Sequence, residues 1–169
     1  MFFLKTLKQI VVMFQTDISP DQIAWGAALG CILGLVPNMM MKIVLFIVIM
    51  LFRVNITAAL LSCALYAILS FALDPLFDVI GFYVLNIGIL NSFYTWLYNL
   101  PVVPFTHFNN SVVMGSLIFG LIMFVPNGIL AKKVLVYYRT HLRDKVFKWK
   151  VVKILSVAIN TTKVVNLVK

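Results

Sequence analysis

Glutamate is absent from this chain, and five aspartates are its only acids. Charged residues of either sign make up 11% of the 169 positions, against 63% hydrophobic residues and a mean hydropathy of +1.05. A soluble domain of this length needs far more charge to cover its surface, so the composition excludes that class. The same scarcity limits chemistry, because any acid–base or metal work falls to the five aspartates and two histidines. Cys31 and Cys63 both lie in apolar segments without metal-type spacing. They read as small buried hydrophobes and imply no disulfide framework. There is no phosphate loop, serine elbow or cysteine–histidine metal pattern. The expectation is therefore a protein that is not an enzyme and carries no cofactor.

What the chain does have is a series of long apolar runs. Residues 23–52 hold a single charge, Lys42, and are interrupted at Pro37-Asn38. Gly26, Gly30 and Gly34 recur at every fourth position of the first half. On a helix that spacing lines one face with hydrogen atoms, so that a second backbone can approach closely. Helices associate this way in lipid, where hydrophobicity gives no net drive. Gly115 and Gly120 offer the same opportunity in the last run. Ser19-Pro20-Asp21 has the grammar of a helix start: hydroxyl cap, proline in the first turn, then an acid. Pro37 lacks a backbone donor and disfavours helix at Val36. As one helix, residues 23–52 would measure roughly 45 Å, against a hydrocarbon core of about 30 Å. Two short helices, 21–36 and 38–53, forming a tight hairpin, fit better.

Residues 56–73 are uncharged and long enough for a span. Asp74-Pro75 then repeats the cap-then-proline grammar, so Pro75 is expected to end one helix and open another, with a break also at Pro126. Residues 76–90, marked by Asp78, Gly81, Asn86 and Gly88, read as a half-buried or re-entrant helix. Phe93, Tyr94, Trp96, Tyr98, Phe105 and Phe108 crowd around Pro101 and Pro104, as in an interfacial belt. A last span covers 111–131, opened by Asn109-Asn110-Ser111 and closed by Lys132-Lys133. The expected fold is an all-α integral membrane protein, with about four short transmembrane or hairpin helices plus interfacial amphipathic helices. Its membrane domain is 19–131, with an outer-face helix and aromatic segment over 74–110.

The ends carry most of the charge. Phe3, Leu7, Ile10 and Phe14 share one helical face, which makes 1–18 an amphipathic helix lying in the interface. Lys5 and Lys8 interrupt the apolar run, and no small-x-small cleavage pattern follows, so a signal peptide is not expected. From Lys132 onward there are ten Lys/Arg and one acid, Asp144, out of a formal net charge of +9. Over 132–169, Tyr138, Leu142, Val146 and Trp149 align, with Arg139, Arg143 and Lys150 on another side and Lys145 and Lys148 adding charge. Basic residues interleaved with valine, tyrosine and tryptophan point to anionic lipid headgroups, not to nucleic acid. The positive-inside rule then places both termini in the cytoplasm of a multi-pass protein, with 74–110 on the far side.

Few residues can carry chemistry. Lys42 is an ionisable residue in an apolar run and so a functional candidate, although its stem also lets it snorkel from a helix end. Asp74 and Asp78 lie a turn apart and could share a proton or an ion, but capping is the simpler account. His107 and His141 fall on opposite sides in this topology, which excludes a shared metal. Gly26 through Val36-Pro37-Asn38 is echoed at Gly115 through Val125-Pro126-Asn127. Inverted repeats with broken helices mark transporters, yet a glycine and a tripeptide in an apolar background are readily a coincidence.

The series Ser19-Pro20, Ile23-Ala24, Gly26, Ala28, Gly30, Gly34, Pro37 and Val54-Asn55 resembles a bacterial membrane family known only as a domain of unknown function. The match continues through Leu73-Asp74-Pro75-Leu76-Phe77, Tyr98-Asn99, Phe108-Asn109-Asn110 and Val113-Met114-Gly115-Ser116, covering about residues 5–140. It is strongest to a subgroup of small proteins from bacteria with an outer membrane. The wider family has Asn-Pro where this chain has Asp74-Pro75, and a glycine-glutamine-like turn in place of Met39 to Lys42. The family has no established activity. The resemblance implies an inner-membrane protein whose gene often neighbours one for a larger uncharacterised protein, and hence an envelope function with a membrane-anchored or periplasmic partner.

Two classes of function follow. One is a non-enzymatic subunit that anchors or assembles with a larger envelope protein, with Phe93, Tyr94, Trp96 and Tyr98 as contacts, in lipid transport between membranes. The other is a small transporter or channel, with Lys42, Asp74 and Asp78 lining a polar path. Self-association into a homo-oligomer is open under either. The topology is directly testable: cysteines introduced at Asn91 and Asn160 are expected to label from opposite sides of the membrane, and labelling from one side would overturn the four-crossing arrangement.

Overall fold

The computed structural model describes residues 19–142. The amphipathic helix expected over 1–18, and the tail residues Arg143, Lys145, Lys148 and Lys150, lie outside the described residues. Within them the chain is all-helical. The α-helices are α1 (Pro20–Leu35), α2 (Met39–Leu51), α3 (Ile56–Leu85), α4 (Asn91–Tyr98) and α5 (Ser111–Tyr137). Two 3₁₀ turns, Gly88–Leu90 and Val103–Thr106, flank α4, and a π turn, Tyr138–Leu142, extends α5.

Polar side chains open the four longer helices. Ser19 Oγ accepts from the Gln22 amide at 3.4 Å, Asn38 Oδ1 from Met41 at 2.9 Å and Asn55 Oδ1 from Ala58 at 2.9 Å. Asn110 Oδ1 takes both Val112 and Val113, at 3.0 and 3.2 Å. Each cap satisfies amides that have no partner within their own helix.

Two expectations about proline are corrected. Asp74-Pro75 does not start a helix: α3 runs unbroken from Ile56 to Leu85, so the span expected at 56–73 and most of the re-entrant segment are one helix of 30 residues. Pro126 likewise lies inside α5, which continues past residue 131 to Tyr137. An internal proline costs one backbone hydrogen bond and bends the helix, but neighbouring helices can hold the bent segment in place. Pro37 differs because Asn38 follows it as a free cap and starts α2. At the echoed position Asn127 is occupied by other helices and opens nothing, so the internal echo is not a structural repeat.

The core consists of α1, α3 and α5, and glycine sits at each of their crossings. A Cβ on Gly26 would lie 2.5 Å from the Asn55 carbonyl oxygen, one on Gly30 would overlap that of Ala59, and one on Gly34 would lie 2.5 Å from that of Cys63. The constant offset of 29 residues means that α1 and α3 run parallel. Gly81 of α3 and Gly115 of α5 face one another, each over the other helix's backbone, in an antiparallel crossing. Gly120 rests on Ile32, and Gly128 on Ala28. At such distances Cα–H groups can bond facing carbonyls, a recurrent feature of close helix pairs. The glycine face of α1 thus meets α3, and not α2 as a tight hairpin would have it. The second helix returns along the outside with only Met41 and Ile49 buried.

Both ends of the bundle can be read from its contacts. At one, here the near end, the Asn55 amide donates to the Gln22 carbonyl at 3.1 Å, Asp21 pairs with Lys132 at 2.6 Å, and Ile23, Ala58 and Leu135 cluster. The start of α1, the start of α3 and the end of α5 therefore share one level. At the far end Val36, Met41, Phe108, Val113 and Met114 pack together.

Small and polar groups fill the middle. Ala28, Cys31 and Ser116 are fully buried. Ser62 Oγ and Asn127 Nδ2 both donate to the Ala27 carbonyl, at 2.6 and 3.1 Å, and the Tyr66 hydroxyl donates to Asn127 Oδ1 at 2.7 Å. This network ties α1, α3 and α5 together. Large apolar side chains such as Leu65, Ile68, Phe71, Phe82, Leu121 and Ile122 point outward and are exposed. Two helices, Ile56–Leu85 and Ser111–His141, are long and apolar enough to cross a membrane.

Because a Cβ at Gly30 meets backbone and not a movable side chain, Gly30→Ala should destabilise toward or beyond the upper end of the about 1–3 kcal/mol typical of overpacking. Gly88, with nothing near its Cβ position, should accept alanine without loss. Thermal unfolding of both variants in mild detergent checks the pair.

Candidate functional site

The far end carries the most structured surface that is not part of the three-helix core. After Leu85 the chain makes two 3₁₀ turns around α4 before Asn110 starts α5. Its anchors are Phe108, buried beside Val113 and Met114, and Tyr94, whose hydroxyl donates to the Val84 carbonyl at 3.0 Å. Tyr94 and Tyr98 both lie 6.3 Å from the Phe108 ring. His107, at φ 52°, takes the left-handed turn that returns the chain toward α5; histidine is among the residues that tolerate it best.

On this frame Phe93, Trp96 and Tyr98 stand about half exposed, at 51%, 58% and 51%. Phe93 and Trp96 stack with ring centroids 5.9 Å apart. A shallow surface depression of about 410 Å³ lies beside Tyr98, lined also by Leu85, Tyr94, Thr95, Asn99, Phe108 and Asn109. The segment contains no Lys, Arg, Asp or Glu from residue 86 to 110. Exposed aromatics on a hydrogen-bonded base, beside polar rims at Asn99 and Asn109, are of the residue types that meet either a protein partner or lipid headgroups. Of the four expected contacts, Tyr94 is a support and the other three are available.

Of the residues expected to line a polar path, Asp74 and Asp78 lie one turn apart on α3, and Lys42 is on α2. Asp78 accepts a hydrogen bond from the Ser111 hydroxyl at the start of α5, where the helix dipole also favours an anion. It does not cap its own helix, which runs on through it. Lys42 sits half-buried in the first turn of α2. Asp74, one residue before Pro75 within α3, keeps Oδ1 buried without a hydrogen-bond partner. His107 lies at the far end, while His141 stacks on Tyr137 near the other, with centroids 4.7 Å apart. Among the described residues no group of three His, Cys, Asp or Glu side chains could hold a metal.

Sequence reasoning did not single out Ser62, Tyr66 or, except in the echo, Asn127. The signal was available: a tyrosine and an asparagine in the middle of apolar runs need partners at that depth. Which partners they find depends on the helix pairing.

No protein-family model matches the chain. It is 28% identical over 144 residues to an uncharacterised protein of Treponema pallidum (strain Nichols), which covers 85% of this chain and 89% of that one. No solved structure matches. The similarity thus extends over most of both chains and carries no activity with it.

A buried polar atom without a partner costs about 1–3 kcal/mol. If Asp74 has no role beyond the fold, Asp74→Leu should raise stability by about that amount, read as a higher unfolding temperature in detergent. A fall in stability would mean that the carboxyl makes a favourable interaction in the folded protein.

Proposed function

We propose that this chain is a small non-enzymatic subunit of a bacterial inner membrane that anchors or assembles with a larger envelope protein, as part of lipid movement between membranes. In this reading α1, α2, α3 and α5 cross or enter the bilayer, both termini are cytoplasmic, and the near end with its cations faces inward. The inverted distribution of side chains supports it: glycine, alanine, serine and asparagine lie at the helix crossings, while leucine, isoleucine and phenylalanine face outward. That arrangement suits a hydrocarbon solvent, where close backbone packing replaces hydrophobic burial as the drive for association. The larger partner and the lipid route come from the family resemblance, which associates such small proteins with a neighbouring envelope component.

The observation that carries the docking role is the α4 platform. A connection of this length with an ordered base is usually a binding element, and its exposed Phe93, Trp96 and Tyr98 are the residue types that anchor interfaces. An aromatic belt that only meets headgroups would not need the Tyr94–Val84 hydrogen bond or the buried Phe108 beneath it. The transporter alternative draws on the unpartnered Asp74, while Asp78 is engaged by Ser111.

Replacing both Trp96 and Tyr98 with alanine is expected to release a co-purifying larger envelope protein while membrane insertion and thermal stability are kept. Retention of that partner would assign the platform to the membrane interface alone.

A further inference from the structure

On another face of the bundle, toward the near end, α3 and α5 are separated by a groove of about 540 Å³. Ile23 and Ala27 of α1 line it from behind, and its walls are Leu61, Leu65 and Ile68 on one side and Leu130 and Val134 on the other. Small residues leave this space: Ala58 and Ala64 on α3, and Ala131 on α5, line it where larger side chains would fill it. Its polar lining is the Ser62–Tyr66–Asn127 network, whose hydroxyl protons are already donated within the protein. The groove therefore makes no demand for a chain of water, and its walls offer hydrocarbon.

The groove is long and apolar. From Ala58 to Ile68 the helix rises about 15 Å, and an extended alkyl chain lying along that length would meet leucine, isoleucine and valine on both sides. Charge then selects the kind of lipid. The groove reaches Ile23, Ala58 and Leu135, the near-end cluster. That end carries Arg53, Lys132, Lys133 and Arg139, while among the described residues Asp21 is its one acid and is paired with Lys132. No lysine or arginine occurs from residue 54 to 131.

We propose that the α3–α5 groove holds an acyl chain of an anionic phospholipid, with its phosphate at the level of the near-end cations. The chain runs along the leucine and isoleucine walls toward Tyr66, and the headgroup stays at the level where the helices emerge. This rests on the membrane reading above and is independent of the docking platform, which lies at the opposite end.

The test uses the full-length protein reconstituted in vesicles of mixed phosphatidylglycerol and phosphatidylcholine, then released into mild detergent for native mass spectrometry. One retained phosphatidylglycerol per chain is expected, in preference to phosphatidylcholine. Ala64→Trp, at an exposed wall position, should lower that retention by about tenfold, and Lys133→Glu should abolish the headgroup preference. Leu121→Trp, exposed outside the groove, should do neither. Thermal unfolding of each variant verifies that it is folded. Absence of a retained lipid, equal retention of both lipids, or an Ala64→Trp variant that keeps its lipid would overturn the assignment. A dimer that Ala64→Trp dissociates would give the groove to a second copy instead. Because the platform variants are read by partner retention, failure of one proposal leaves the other distinguishable.

Discussion

Direct approach of backbones at glycine is the constraint on which this fold depends. Gly26, Gly30 and Gly34 lie against the carbonyls of Asn55, Ala59 and Cys63, and Gly81 and Gly115 lie against one another's helices. Few large side chains are completely buried between α1, α3 and α5. Phe77 and Leu35 are the largest that are fully buried. Packing of this kind gains dispersion energy and weak Cα–H···O bonds over long stretches of helix, and it tolerates no added atom at the crossing.

The polar residues become intelligible within that frame. Once α1, α3 and α5 are this close, the Ala27 carbonyl lies within reach of both Ser62 and Asn127, and Tyr66 completes the set. Each group is satisfied by another helix, so the network adds cross-links and fixes rotation about the helix axes. Asp78 and Ser111 do the same near the Gly81–Gly115 crossing. Asp74 is the exception, with an oxygen left unpartnered beside Pro75 in the longest helix.

The two ends then differ in kind. At the far end the chain leaves α3, builds a platform of short helices without charge, and presents aromatic rings over an anchored base. At the near end the helix termini gather cations, and the space between α3 and α5 opens over small side chains. The proposed roles follow this polarity: recognition of a partner at one end, and of an anionic lipid at the other.

Four helix starts could be read from local chemistry: Ser19 and Asn110 as caps, and the boundaries at Pro37-Asn38 and at Asn55. The helix α4 was not legible, since residues 91–98 read as an aromatic belt, and Asp74-Pro75 announces a start that α3 does not have. The glycine spacing likewise declared a close-packing face on α1. The sequence left undecided which helix would meet that face. In a soluble protein an apolar stripe names the buried side of each helix, but here every side of α1, α3 and α5 is apolar, so periodicity cannot distinguish core from exterior. For the same reason Pro75 and Pro126 were misread. Local grammar marks a break at both, and only the neighbouring helices, held at glycine distance, decide that α3 and α5 continue through them. The polar floor and the groove above it are tertiary in origin as well, since Ala27, Ser62, Tyr66 and Asn127 come from three helices and meet only once the pairing is set.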